Sequence, residues 1–368
     1  MKDVCKAMVL TADRQMEMRE FPIPETHEDD GLLKVEMVGV CGSDPGYYRG
    51  KTPHALPLIM GHEIVGRIAK IGPKKAKDTG CKVGDRVIVE NRTGCGVCPA
   101  CIEGHYSKCV HKLGYGVFTS CETPPYLWGA YSEYLYLPPR AIVHKISDQV
   151  PLEAACLTTS VIGNNVHWLM ERGGVKMGDV VVIAGAGQQG LCASVVAKEC
   201  GASQIIIYGR DSASSMKRLE LAPEFGATYT FNGGKEDPVE VVRKLTDGAM
   251  ADVFVDTSGD PHNMEISLDI VKNYGTVVTP GLYGKHPASL DLDTLVMKEI
   301  TIVGAHAQTY HSNEVAIKLV ESGKYPFEKI VTHKFLLEDA EKAVLSAGHE
   351  IEGVNPIKCA ICPNGFDV

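Results

Sequence analysis

The stretch from Val180 to Gly190 leaves this chain fewer folding choices than any other. Val180, Val181, Val182, Ile183 and Ala184 form an unbroken apolar run, mostly β-branched, the pattern of a parallel strand buried on both faces. The run opens directly into Gly185, Gly187 and Gly190, and Gln188 and Gln189 stand at the start of an apolar helical segment, 191–198. Strand, tight glycine turn and helix start make a dinucleotide-binding fingerprint. Gly185 permits the turn, Gly187 lets backbone approach a pyrophosphate, and Gly190 lets the helix lie close to the strand. The free N–H groups of the helix start then face the phosphates.

Further strands follow at 204–208, 251–259, 275–281 and 300–305, separated by helical stretches, which predicts a doubly wound parallel sheet, an α/β fold, over 160–303. Ligands of such a sheet bind at the carboxyl ends of its strands, which places Ser258, Gly281, Leu282, Tyr283 and His306 near the nicotinamide or the cleft. The strand at 204–208 ends in Gly209, Arg210 and Asp211 rather than in an immediate acid. A small residue followed by a planar cation suits a 2′-phosphate, with Lys217 and Arg218 a turn or two further on, so NADP is favoured over NAD. Asp211 leaves NAD open if the turn is tight.

At 368 residues the chain is long for one core, so a second domain is expected. The region before the fingerprint lacks βα alternation and reads as short strands at 6–10, 32–40, 63–68 and 84–89. Cys41 closes one of these strands, and His62 with Glu63 opens the next. A thiolate and an imidazole beside glycines suit zinc, with Asp44 placed to orient His62 through its other ring nitrogen. The competing reading is a buried structural cysteine and a surface histidine. Cys95, Cys98, Cys101 and Cys109 crowd one glycine-rich loop. Four thiolates make a closed tetrahedral site that staples a loop without doing chemistry; an iron–sulfur cluster is the rival, and zinc is preferred because nothing else suggests electron transfer.

Cys41-Gly42-Ser43-Asp44, Gly61-His62-Glu63, the four-cysteine loop, Gly129-Ala130-Tyr131-Ser132-Glu133-Tyr134 and the fingerprint together resemble the zinc-containing medium-chain alcohol dehydrogenases, in that family's order and over nearly the whole chain. The resemblance implies a GroES-like β domain, 1–159 with 304–368, and a Rossmann domain, 160–303, with a substrate cleft between them. It implies catalytic-zinc ligands at Cys41 and His62, a neighbouring carboxylate at Glu63, a substrate-binding hydroxyl at Ser43, and structural zinc at the four cysteines. It also implies a homodimer or homotetramer. Two departures stand out. Alignment without gaps from Gly185 puts Ser160 where the family's third protein ligand falls, and Glu63 plus water is the preferred replacement over Glu153 or Cys156. Gly46 replaces a histidine that passes the proton to solvent.

The expected activity is hydride transfer between an alcohol carbon and NAD(P), with a small-molecule alcohol or carbonyl substrate. A zinc-free reductase of a conjugated C=C bond is the alternative, and a non-enzymatic nucleotide-binding protein a more distant one. Net charge of −9 with no basic run argues against nucleic acid. No apolar stretch reaches membrane-spanning length and no signal peptide is legible, so a cytoplasmic protein is expected. Tyr47, Tyr48, His54, Tyr126 and Trp128 suggest a pocket tolerant of bulk.

Overall fold

A computed structural model describes residues 3–366. The chain divides into two compact units, Met1–Thr159 with Ile317–Gly323 and Phe327–Val368, and Ser160–Ala316 with Lys324–Pro326. Residues 304–316 are thus grouped with the second unit, whereas the resemblance returned the chain to the first unit at 304.

The first unit is built on the strand Gly31–Gly39, buried at every position but Lys34. It runs antiparallel to Glu63–Ile71, to Tyr134–Leu137 and to the C-terminal strand Lys358–Cys362. The register sets Gly39 opposite Glu63 on one side and opposite Ala360 on the other. A Cβ on Gly39 would lie 2.1 Å from Glu63 Oε2, 3.0 Å from Lys358 Cε and 3.1 Å from Cys156 Sγ, so only glycine leaves room there for these side chains to meet.

The second unit holds six parallel strands in the spatial order Tyr229–Asn232, Gln204–Gly209, Val180–Ala184, Ala251–Asp256, Val271–Thr279, Thr301–Gly304. This is the doubly wound arrangement, with the chain reversing direction across the sheet beside Val180–Ala184. The edge strand Tyr229–Asn232 was not expected. Its four residues lack an apolar run, and only Phe231 is buried.

The segment 157–170 is not one regular helix. A short α-helix, Leu152–Leu157, passes into wider turns over Thr158–Gly163 and Val166–Arg172. Asn164 Nδ2 donates to Ser160 O (2.6 Å) and Asn165 Nδ2 to Val161 O (2.9 Å). These amides occupy carbonyls that the regular ladder would use, and at the end Gly173 N–H reaches back to Trp168 O. The amides of Asn164 and Asn165 therefore serve local structure.

One buried cation ties the first unit's surface helix to its sheet. Lys75, in the helix Pro73–Thr79, is 2% exposed and its Nζ donates to the carbonyls of Pro138 (2.8 Å), Pro139 (3.2 Å) and Ala141 (3.4 Å). Replacing Lys75 by Met leaves these buried carbonyls without a donor. The expected loss is about 2–4 kcal/mol of stability, read from urea denaturation; an unchanged midpoint would show the tether to be dispensable.

Candidate functional site

The first unit brings one sulfur, one imidazole and one carboxylate together. Cys41 lies just beyond Gly31–Gly39, and His62 and Glu63 lie at the start of the adjacent strand. Their ligand atoms fall within 4.8 Å of one another. Gly61 sets the approach: its φ is +92°, and a Cβ there would be 2.5 Å from the Tyr131 ring. Asp44, first residue of the short helix Asp44–Tyr48, is fully buried. Its Oδ2 accepts from the Cys41 N–H (2.9 Å) and the Tyr131 hydroxyl (2.9 Å), while Oδ1 faces His62 Nδ1 at 3.5 Å. Nδ1 is thereby turned toward an acid, which leaves Nε2 as the nitrogen for a metal. Burial pushes the His62 imidazole down, but the charges of Asp44 and Cys41 outweigh it and lift it to about 9. Burial raises the Asp44 carboxyl above the usual range.

Glu63 also forms an ion pair with Lys358 of the C-terminal strand, and both side chains are 1% exposed. Metal ligation requires the thiolate of Cys41 and the neutral imidazole of His62. With both, Cys41, Asp44 and Glu63 carry three negative charges against the one positive charge of Lys358. The excess of two matches a divalent cation, and the donor set of sulfur, nitrogen and oxygen suits zinc. Glu63 Oε1 is buried without a hydrogen-bond partner, as fits a group arranged for something beyond its neighbours. Cys156 stands next to this group without joining it. Its thiol, raised by burial, points at the Glu63 carbonyl (3.7 Å).

The second donor group is the loop of Cys95, Cys98, Cys101 and Cys109, whose sulfurs also fall within 4.8 Å of one another. Backbone amides are aimed at them: Cys98 N–H at Cys95 Sγ (3.3 Å) and Cys95 N–H at Cys109 Sγ (3.3 Å). Such bonds stabilise thiolates, and the amides of Val97 and Cys98 bring Cys95 down to about 6. The loop is moored through Tyr106, whose hydroxyl donates to Glu90 Oε2 (2.7 Å), while Glu90 Oε1 pairs with buried His144 (2.9 Å).

In the second unit a cavity of about 510 Å³ opens at the carboxyl end of the sheet, lined by Gly185, Gly187, Gly209, Arg210, Ser215, Arg218 and Ser258 among others. Gly185 has φ +102°, and a Cβ on Gly190 would lie 1.8 Å from the Gly185 carbonyl oxygen. The third glycine is thus demanded by helix-to-turn contact. A Cβ on Gly209 would meet Ser215 Oγ at 2.1 Å, so the strand end has no room for a side chain. Asp211 is absent from the cavity lining; its Oδ1 accepts from Asn232 Nδ2 (2.8 Å) and faces Lys235. Burial lowers the Arg218 guanidinium, and the charge of Arg210 lowers it further.

Other sequence candidates are placed differently. Gln189 is bound to Asn165 (2.8 Å) and to Ser160 O (3.1 Å), outside the cavity lining. Gln188, Gly281 and Tyr283 do not line it either; Tyr283 donates to Asp256 (2.7 Å), whose other oxygen accepts from Ser258 Oγ (2.6 Å). Ser160, at the position of the absent third ligand, is buried in the second unit with Oγ unpartnered. Lys358 and Ser215 were not anticipated. Lys358 lies near the end of the chain with no motif around it, and Ser215 is marked only by its spacing after Gly209.

Residues 27–148 match the alcohol dehydrogenase GroES-like domain family, and residues 190–322 the zinc-binding dehydrogenase family. A Mycobacterium tuberculosis protein named "probable alcohol dehydrogenase" is 35% identical over 366 residues, covering 98% of this chain and 99% of its own. The erythritol/L-threitol dehydrogenase of Mycolicibacterium smegmatis is 30% identical, covering 92% and 93%. The crystal structure of an alcohol dehydrogenase from Thermotoga maritima superimposes with a TM-score of 0.89 at 26% identity, covering 98% and 100%.

Gly190→Ala should lower dinucleotide affinity by at least about tenfold in a fluorescence titration, because the new methyl group displaces the turn that meets the phosphates. Unchanged affinity would mean that the turn tolerates the shift.

Proposed function

The chain belongs to the zinc-type medium-chain dehydrogenase/reductase family, and from that premise we propose how its own residues carry the reaction. It is an NAD(P)-dependent alcohol dehydrogenase that uses zinc and a nicotinamide dinucleotide. The observation that carries the reading is the convergence of Cys41, His62 and Glu63, braced by Asp44 behind the imidazole and by Lys358 behind the carboxylate.

Cys41, His62 and Glu63 would hold the catalytic zinc, and the four clustered cysteines the structural one. The catalytic ion, when bound, supplies Lewis acidity toward the substrate oxygen. Asp44 keeps the His62 ring in one orientation and one tautomer. Lys358 holds Glu63 in place and offsets its charge. Ser43, at the start of the Asp44–Tyr48 helix, lies beside the Tyr47 side chain. Its hydroxyl accepts the substrate proton and passes one on through Tyr47, which supplies a route where Gly46 offers no histidine. The nicotinamide carries the redox step; the protein orients and polarises. Convergence of the donors supports this metal-bearing reading over the zinc-free C=C reductase.

The cofactor is NADP rather than NAD. The support is the closed strand end at Gly209, the pair of guanidinium groups of Arg210 and Arg218 at the cavity, and the engagement of Asp211 with Asn232 and Lys235. A 2′-phosphate relieves the mutual repulsion of the two arginines. The thirteen cysteines fit a reducing compartment, the cytoplasm. None of the cysteines is paired in a disulfide. Among the described residues no helix is long and apolar enough to cross a membrane.

Cys41→Ser and His62→Ala should each lower kcat by roughly a thousandfold or more while leaving NADPH binding in place, in steady-state assays paired with fluorescence titration. Full activity in both variants would exclude the Lewis-acid role. Arg210→Ala should raise the KM for NADPH by about tenfold or more and leave that for NADH nearly unchanged. Equal effects on the two cofactors would remove the case for NADP.

A further inference from the structure

Arg92 is a cation without a counter-charge. It sits in the two-residue strand Arg92–Thr93, opposite Gly114. Its Nε is buried with no hydrogen-bond partner, and among the described residues no carboxylate pairs with it. By contrast Arg67 and Arg86, elsewhere in the same unit, both rest on Glu36 (2.8 and 2.9 Å). Withdrawing a guanidinium from water without pairing it is costly, and the cost is met when a ligand brings the anion.

The surroundings are built for such a ligand. The Arg92 guanidinium lies 5.8 Å from the centre of the Phe118 ring, and Lys112 Nζ lies 5.7 Å from the same ring, so two cations share one aromatic surface. The loop that carries Phe118 is fastened to the metal site. A Cβ on Gly116 would lie 2.6 Å from the carbonyl oxygen of Gly61, the residue before His62. Val117 O accepts from Ala55 N–H (3.1 Å). The neighbouring His54 meets the Tyr47 ring edge-on, 5.9 Å between centres. His54 Nδ1 donates to Thr52 O (2.7 Å), since a carbonyl can only accept, and its Nε2 is left buried and unpartnered. Tyr47 in turn lies beside Ser43. From Cys41 outward the first unit therefore presents a hydroxyl at Ser43, an open imidazole nitrogen at His54 and an open guanidinium at Arg92.

We propose that the substrate is an alcohol bearing an oxyanion, a carboxylate or a phosphate, which Arg92 binds while the reacting hydroxyl lies toward Cys41 and His62. The proposal rests on the dehydrogenase reading of that site. The planar fork of arginine matches either oxyanion through paired N–H donors. His54 Nε2 is placed to take a second hydroxyl of a polyhydroxylated chain. Arg92 is here a binding residue and has no part in the hydride step.

The test uses zinc-loaded protein with NADPH bound, and two matched pairs of probes: ribitol phosphate against ribitol, and threonate against threitol. Calorimetric binding should favour the charged member of at least one pair by about tenfold to a hundredfold. The pair that shows the preference tells phosphate from carboxylate. Arg92→Gln should erase the preference, and Arg92→Lys should keep part of it, with thermal melting to show that both variants fold. Equal binding within both pairs, or a preference that survives in a folded Arg92→Gln, overturns the proposal. Turnover, measured with NADP, separates the two readings. A charged probe bound through Arg92 but never oxidised by the wild type speaks against the dehydrogenase and leaves the anion site standing. Oxidation of charged and neutral partners with equal kcat/KM leaves the dehydrogenase and removes the anion site.

Discussion

The ion pair of Glu63 and Lys358 is the contact on which the cluster of Cys41, His62 and Glu63 depends. Both groups are withdrawn from water, so each is tolerable only with the other present. Removal of one partner from such a pair costs about 3–5 kcal/mol, because the survivor keeps its charge in a medium that cannot solvate it. The pair also joins residues nearly three hundred positions apart, through a C-terminal strand laid against Gly31–Gly39. It fixes the carboxylate that stands beside Cys41 and His62 and offsets one of the negative charges gathered there.

Close approach is the second constraint, and glycine is its instrument in both units. Gly39 makes space for the ion pair, Gly61 lets Tyr131 reach in beside His62, and Gly190 lets a helix press on Gly185. In each case the missing side chain lets a functional atom come nearer than any other residue would allow.

Hydrogen bonds then orient what the glycines bring near. Asp44 gathers an amide from Cys41, a hydroxyl from Tyr131 and the imidazole of His62, so the Gly-Ala-Tyr segment reaches Cys41 and His62 through one carboxylate. Asp256 does the same in the other unit for Ser258 and Tyr283. That explains why those two residues stand at a strand end: Tyr283 stays outside the cavity lining, and Ser258 reaches it from a fixed position.

The amino-acid sequence by itself determined whatever depends on short-range pattern. The apolar run at 180–184 with its glycine triplet, the C-x2-C-x2-C loop, and Cys41 and His62 at strand edges each carry their meaning within a few residues, because turn geometry and ligand spacing are local. The tertiary structure alone decided the rest. Lys358 came to Glu63 through strand pairing, Asp211 turned to Asn232 instead of the cavity, and the Asn164 and Asn165 amides widened a helix that looked regular. Arg92, unremarkable in the chain, was left with a buried Nε that no hydrogen-bond partner reaches. These outcomes depend on register and on competition among distant partners for burial and charge, and a one-dimensional pattern does not encode which partner wins.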